Sequence, residues 1–294
     1  MSGAGGGPAT ATTVDQLLRV IAARLERTGL PSAQADARWL IRHALGWSAA
    51  QLTTGRDRPL TADQLTAVEQ LVSRRAAHEP LQLVLGGTEF RGHHLDLRPG
   101  VFIPRPETEL MVELVLDRLP AGGAVIEPCT GSGAIACAIA VERPGTPVVA
   151  TDRDPAAVAL AAHNAACLGA AVDVRQGALL DPVPRRLRGR TAVLVANPPY
   201  LAERELADLP DDVARWDPVD ALVAGPTGHE VSDALIAAAV PWLAAGGWLA
   251  LELDERRVAT AAARARAAGL ADVAEVEDLT RRPRFVLARR AANG

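Results

Sequence analysis

The 294-residue chain is poor in several residue types that would announce a function. Its three cysteines, Cys129, Cys137 and Cys167, form no Cys-x-x-Cys pair and no even framework, so neither a disulfide scaffold nor a cysteine-based zinc site is expected. Aromatic residues make up 3%, with three Phe and one Tyr, too few for a platform on which successive bases stack. No run approaches the roughly 18 apolar residues of a spanning helix. The longest in the C-terminal half, over 241–253, is interrupted by Gly246 and Gly247 and reads as helix, turn, strand. Neither sign of charge dominates: 31 Lys+Arg against 35 Asp+Glu gives −4, without the basic excess of a broad duplex binder. The opening Met1-Ser-Gly-Ala-Gly-Gly-Gly-Pro8 has neither the basic start nor the apolar stretch of a secretory signal. A soluble, cytoplasmic protein is expected, with no membrane partner, no metal and no direct nucleic-acid partner.

What is present is apolar material, at 49% of residues, and a length that suits roughly two domains. Residues 1–12 are rich in Gly, Ala and Thr and are expected to form a disordered tail. Thr13-Val-Asp-Gln16 has the form of a capping box, and Val14, Leu17, Leu18, Ile21 and Leu25 make a helical stripe that Gly29 and Pro31 close. A second helix carries Trp39, Leu40 and Ala44 and stops at Gly46; a third opens at Thr61-Ala-Asp-Gln64 and ends before Glu79-Pro80. Residues 13–80 therefore read as a small helical domain. Over 81–99 the alternation changes, and a β-hairpin linker is expected. From 100 to 294 strand and helix patterns alternate: strands near 124–126, 148–150, 172–175, 192–196 and 248–253, helices over 133–140, 155–167, 231–244 and 255–268, and two closing strands. Such alternation predicts an α/β fold with a doubly wound, mostly parallel sheet.

Three segments carry chemistry. Glu127-Pro-Cys-Thr-Gly-Ser-Gly133 joins a buried strand to a helix, and Gly131 and Gly133 permit a tight turn with close approach of a ligand to the backbone. The third glycine of a dinucleotide fingerprint is replaced by Ala136, and the turn has no Lys to make a phosphate loop. Asp152 ends the second strand, 19 positions after Gly133, where a carboxylate accepts from the hydroxyls of a ribose. Together these suit an adenosine-bearing cofactor and leave nicotinamide and S-adenosylmethionine both open. Asn197-Pro-Pro-Tyr200 decides between them. It follows an apolar strand at its carboxyl end, where an Asn oxygen and a proline carbonyl make two acceptors for a planar –NH2 group, and Tyr200 offers a face to pack on it.

Asn197-Pro-Pro-Tyr200 after Gly131-Ser-Gly133 resembles the methyltransferases that modify planar nitrogens. Ile103-Pro-Arg-Pro-Glu-Thr-Glu109, the Pro80-Leu81 start, Thr88-Glu-Phe-Arg-Gly92 and Arg282-Pro-Arg-Phe285 narrow this to the HemK/PrmC family, which the chain resembles from about residue 14 onward. The resemblance implies a class I S-adenosylmethionine-dependent methyltransferase fold. It further implies methylation of the glutamine N5 in the Gly-Gly-Gln motif of peptide chain release factors 1 and 2, by a monomer whose N-terminal helices grip the protein substrate. It gives Glu127, Cys129, Thr130, Gly131, Ser132 and Gly133 the cradle of the methionine part, Asp152 with Arg153 the ribose, and Gly177, Ala178 and Leu179 the flank of the adenine. Phe102, Pro104, Arg105 and Thr108 would wall the cofactor pocket. Asn197 and Pro198 would bind the target amide, with Pro199 and Tyr200 shaping its slot. The sequence departs from the family pattern at Glu127 and Pro128, at Ala178, and over Gly225-Pro-Thr-Gly-His229. A methyltransferase of the same fold acting on a nucleic-acid amino group or a small metabolite is the alternative reading.

Other conspicuous residues read as ordinary surface or core. His93 and His94 have no third ligand at metal spacing and read as solvated loop histidines. Arg185, Arg186, Arg188 and Arg190 read as a solvated charge run. The cysteines read as packing residues, and Glu252 as either a pocket wall or a sheet-edge carboxylate.

Overall fold

The computed structural model describes residues 12–209 and 211–292. The expected disordered tail, apart from Thr12, lies outside them. The chain divides into two compact units at Gly86–Gly87.

The first unit is helical: α1 (Val14–Arg27), α2 (Ala33–Leu45), α3 (Ala49–Thr54), α4 (Ala62–Ala76) and α5 (Leu81–Leu85). Thr13 and Thr61 cap α1 and α4 in the reciprocal manner their sequences suggest, each accepting from the backbone N–H of a Gln that reaches back to the cap. Ser48-Ala-Ala-Gln51 does the same for α3, a helix the reading above passed over although its start has the same form. Val14, Ile21, Leu25, Leu40, Ile41, Val68 and Val72 meet in one core. Beside it Arg75 donates to Asp36 at 2.7 Å, a buried pair completed by the Ser32 hydroxyl on Asp36 and the Glu79 carbonyl on Arg75.

The expected hairpin linker needs correction at its start. Residues Leu81–Leu85 form helix, not strand. Pro80 precedes the first turn, Gly86 ends it at φ 75° with its N–H on the Leu83 carbonyl, and the Arg74 guanidinium donates to the carbonyls of Leu83 and Val84. The hairpin itself is β1 (Gly87–Phe90) with β2 (His93–Asp96), and it belongs to the second unit.

That unit continues with α6 (Thr108–Leu116), β3 (Ala124–Pro128), α7 (Ala134–Glu142), β4 (Val148–Asp152), α8 (Pro155–Leu168), β5 (Val172–Gln176), β6 (Thr191–Ala196) and β7 (Leu201–Ala202). It then runs through α9 (Asp211–Trp216), α10 (Val219–Leu222), β8 (Val223–Gly225), α11 (Glu230–Trp242), β9 (Leu243–Glu252), α12 (Glu255–Ala267), β10 (Ala271–Glu277) and β11 (Pro283–Arg289). Seven strands form one sheet in the order β10-β11-β9-β6-β3-β4-β5. The strands β9, β6, β3, β4 and β5 run parallel; β11 alone runs against them, and β10, antiparallel to β11, points the same way as the five. This is the doubly wound class the alternation predicts, with one core on each face of the sheet. No helix among the described residues is long and apolar enough to cross a membrane.

The helix–turn–strand expected over 241–253 also differs in detail. Helix α11 stops at Trp242, and Gly246 and Gly247 lie inside β9. Residues 191 and 193 of β6 face residues 243 and 248, so the extra length bulges out. Gly246 takes φ 78°, and a Cβ on Gly247 would lie 2.8 Å from the Thr191 carbonyl oxygen, so the two glycines permit a bulge rather than a turn.

Chain order reverses at β3, which leads to β4 and β5 on one side and later receives β6 on the other. A crevice opens beyond the carboxyl ends of strands at such a switch point. Gly133 holds the geometry there: it starts α7 at φ 82°, and a Cβ would lie 3.0 Å from Ala161 Cβ and 3.1 Å from Ala161 Cα on α8. Gly133→Ala is expected to cost about 1–3 kcal/mol through strain and overpacking. Thermal denaturation checks this; an unchanged melting temperature would mean that α7 and α8 do not depend on the close approach.

Candidate active site

A cavity of about 870 Å³ lies at this switch point, a size that suits a cofactor-sized molecule. Its floor is the turn after β3, which two carboxyls close from opposite sides. Glu127, buried at the end of β3, accepts through Oε2 from the Thr130 hydroxyl at 2.7 Å and from the Ala136 N–H at 3.0 Å. Asp152 Oδ2 accepts from the Gly131 N–H at 2.9 Å, and Oδ1 from the Asp154 N–H at 3.0 Å. Burial pushes the Glu127 carboxyl up to about 8 and raises that of Asp152. The turn forces Cys129 to φ 59°, a conformation ordinarily left to glycine. Asn164 on α8 donates to the Ser132 carbonyl and also exchanges hydrogen bonds with the backbone of Asp96.

The second wall follows β6. Asn197 directs its Nδ2 to the Thr108 hydroxyl at 3.4 Å, Pro198 is buried, and the Tyr200 N–H donates to the Leu222 carbonyl. Thr108 opens α6 and donates to Glu252 at 3.2 Å. Phe102 and Pro104 line the cavity ahead of it.

Of the residues singled out from the sequence, Phe102, Pro104, Thr108, Glu127, Cys129, Thr130, Gly131, Ser132, Asp152, Arg153, Ala178, Leu179, Asn197, Pro198, Pro199 and Tyr200 all line this one cavity. Gly133, Gly177 and Arg105 do not, and each has another task. Gly133 serves the approach of α7 to α8. Gly177 turns the chain after β5, where a Cβ would strike Pro182 at 2.9 Å. Arg105 stacks over the Phe102 ring at 4.9 Å and pairs with the buried Asp217, joining the segment before α6 to the chain between α9 and α10.

The sequence reading missed the opposite wall, 218–224, where α10 and β8 pass the cavity and Arg153 reaches the Asp220 carbonyl at 3.1 Å. These are ordinary apolar and turn residues; the only available signal was an apolar run bounded by Pro218 and Gly225. Asp154 and Pro155, which cap and open α8, also line the cavity.

Three other expectations differ from the structure, and a fourth agrees with it. Glu252 is neither pocket wall nor sheet-edge carboxylate: it ends β9 inside the sheet, has no exposure, and sits behind Thr108. His93 and His94 lie in β2 rather than a loop, and His94 contacts Glu89 and Asp96. Away from the cavity the donor atoms of Asp96, His163 and Cys167 gather within 4.8 Å of one another, a grouping invisible in the spacing because it joins β2 to α8. Cys167 is exposed, so packing accounts for Cys137 but not for it. Arg185, Arg186, Arg188 and Arg190 are exposed, as a solvated run would be.

Comparison with known proteins shows the family. Residues 16–86 match the family described as PrmC N-terminal domain, and residues 95–210 the one described as Methyltransferase small domain. A release factor glutamine methyltransferase of Mycolicibacterium smegmatis is 38% identical over 96% of this chain and 99% of its own length. That of Deinococcus radiodurans is 40% identical over 94% of this chain and 98% of its own. A solved methyltransferase from Pyrococcus furiosus, 19% identical, superposes with a TM-score of 0.51 over 68% of this chain and 90% of that one, a likeness of fold alone. Near-complete coverage by relatives of one kind, over both units, shows that the chain belongs to the release factor glutamine methyltransferase family.

Proposed function

We propose that this protein transfers a methyl group from S-adenosylmethionine to the side-chain amide nitrogen (N5) of the glutamine in the Gly-Gly-Gln motif of peptide chain release factors 1 and 2. The observation that carries the reading is the opening of Asn197-Pro-Pro-Tyr200 onto the same cavity as the glycine turn and Asp152, in a member of this family. The first unit, which has no catalytic motif of its own, is assigned to holding the protein substrate.

The residues present fit the cofactor. A Cβ on Gly131 would meet nothing within 4 Å, so the backbone there is open to a ligand. The Asp152 carboxyl takes the backbone N–H groups of Gly131, Asp154 and Arg153, and its two oxygens still keep a lone pair for a hydroxyl. Cys129 to Gly131 would cradle the methionine part, Asp152 the ribose, and Ala178 with Leu179 the adenine. S-adenosylmethionine, when bound, supplies an electrophilic methyl on its sulfonium.

The chain's own contribution is orientation. An amide nitrogen is a poor nucleophile because its lone pair is delocalised. Asn197 Oδ1 and the Pro198 carbonyl accept the two N–H bonds of the glutamine, aim the nitrogen, and stabilise the positive charge that develops on it. The alkylated nitrogen is strongly acidic and loses its proton afterwards, so no general base is needed beforehand. Tyr200 packs on the plane of the amide.

Labelled methyl transfer to purified release factor tests the reading, with a Gly-Gly-Gln→Gly-Gly-Ala factor beside the wild type. Label is expected only on the wild-type factor; none, with cofactor bound, would overturn the substrate assignment. Asn197→Ala is expected to lower turnover by about 100-fold or more while cofactor affinity is kept. Near wild-type turnover would remove the proposed amide clamp. Glu127 is assigned the role of a neutral brace, and its carboxyl, raised to about 8, gives a third expectation. Its support for the fold is complete below the ordinary carboxylate range, near pH 4.5, and is lost as pH rises toward about 8. Glu127→Gln stays neutral, so its melting temperature should fall less than that of the wild type from about pH 5 to 8. Parallel curves would show that Glu127 ionises normally.

A further inference from the structure

A side-chain amide can present either of two faces of nearly the same shape and opposite polarity. A site that binds –NH2 through an asparagine works only if the oxygen faces the substrate; the flipped amide sets donor against donor. Something in the protein must therefore choose the flip of Asn197. The group in contact with it is Thr108, whose Oγ1 lies 3.4 Å from Asn197 Nδ2. A hydroxyl has one proton to give. Thr108 gives it to Glu252 Oε1 at 3.2 Å, across 144 residues of chain. Its oxygen is then left as an acceptor, and only the Nδ2 side of Asn197 can satisfy it.

Glu252 is an expensive residue for this position. It has no exposure, and among the described residues its Oε2 is buried without a hydrogen-bond partner. Its nearest cation, Arg284, stands 3.9 Å from Oε1, and the same guanidinium lies 5.8 Å over the Tyr200 ring. A well-packed apolar side chain would stabilise such a place at least as well. The carboxyl is explained by what it organises: through Thr108 it reaches Asn197, and through Arg284 it reaches Tyr200, the two ends of the Asn-Pro-Pro-Tyr segment.

We propose that Thr108 and Glu252 are positioning residues for methyl transfer, a two-step hydrogen-bond relay that fixes the Asn197 amide with Oδ1 toward the target nitrogen. The proposal rests on the reading of Asn197 as the amide clamp given above. Glu252 is not among the residues that line the cavity. Thr108 does reach the wall, so two roles compete for it. As a mere cofactor wall it governs affinity for S-adenosylmethionine; as a relay it governs kcat.

The test is steady-state methyl transfer to release factor by Thr108→Val, Thr108→Ser and Glu252→Leu, with Asn197→Ala alongside and cofactor affinity measured by calorimetry. Thr108→Val removes the hydroxyl at constant shape, and kcat is expected to fall about 10- to 100-fold while cofactor Kd stays within about 3-fold. Thr108→Ser restores the hydroxyl and should recover kcat to within about 3-fold of wild type. Glu252→Leu frees the Thr108 proton, and kcat should fall although the melting temperature does not. A Thr108→Val enzyme with wild-type kcat, beside an inactive Asn197→Ala, overturns the relay and leaves the clamp standing. Activity in both removes the clamp as well. A Thr108→Ser enzyme as slow as Thr108→Val, or a Thr108→Val defect confined to cofactor Kd, also overturns the relay.

Discussion

Everything in the active unit depends on closing a tight turn at the carboxyl end of β3 without a side chain filling the space above it. Two carboxyls do this by accepting backbone or hydroxyl protons from the turn, Glu127 from within the fold and Asp152 from the neighbouring strand. One donor, the Ala136 N–H, lies in the first turn of α7, where N–H groups have no helical partners of their own. The cost appears as a non-glycine residue, Cys129, held in the left-handed region, and as a raised carboxyl in the sheet. With the turn fixed, the strands on either side deliver Asp152 and Asn197 to one cavity.

The sequence motifs that look separate along the chain are joined by polar contacts in space. Thr108 comes from the Pro-Arg-Pro-Glu-Thr-Glu segment, Glu252 from the end of β9, and Arg284 from the Arg-Pro-Arg-Phe segment, and they meet behind Asn197 and Tyr200. Arg105 of the first segment reaches Asp217, and Arg282 of the last reaches Glu107. Such pairs account for the charged residues of these short segments: Thr108, Arg105 and Arg282 each meet a partner more than a hundred residues away, and Arg284 meets Glu252 and Tyr200.

Much of this was legible from the chain and some was not, for physical reasons. Strand–helix alternation, the caps at Thr13 and Thr61, and the cavity residues around Gly131 and Asn197 follow from local chemistry that the fold preserves. Leu81–Leu85 reads as strand because so short and largely apolar a segment, Leu-Gln-Leu-Val-Leu, fits strand or helix equally, and the Arg74 guanidinium on its carbonyls favours helix. Gly133 reads as a ligand-cradle glycine, yet its missing Cβ serves Ala161 on another helix. Glu252 gave no sign of its place because strand centrality depends on strand order, which no local pattern encodes. The wall over 218–224 is built of residues that could stand in any loop.

The sheet also has two open ends, β5 and β10, each with one side of its backbone unpaired within the sheet. Such edges are templates for another molecule's strand. Here β5 carries Asp173 and Arg175 in five residues, and β10 carries Asp272, Glu275 and Glu277 in seven. Two register shifts against β11 and a positive φ at Asp272 bend β10 further from the flat geometry that strand addition needs. The same charges and irregularities that do nothing for methyl transfer therefore guard the protein against edge-to-edge aggregation.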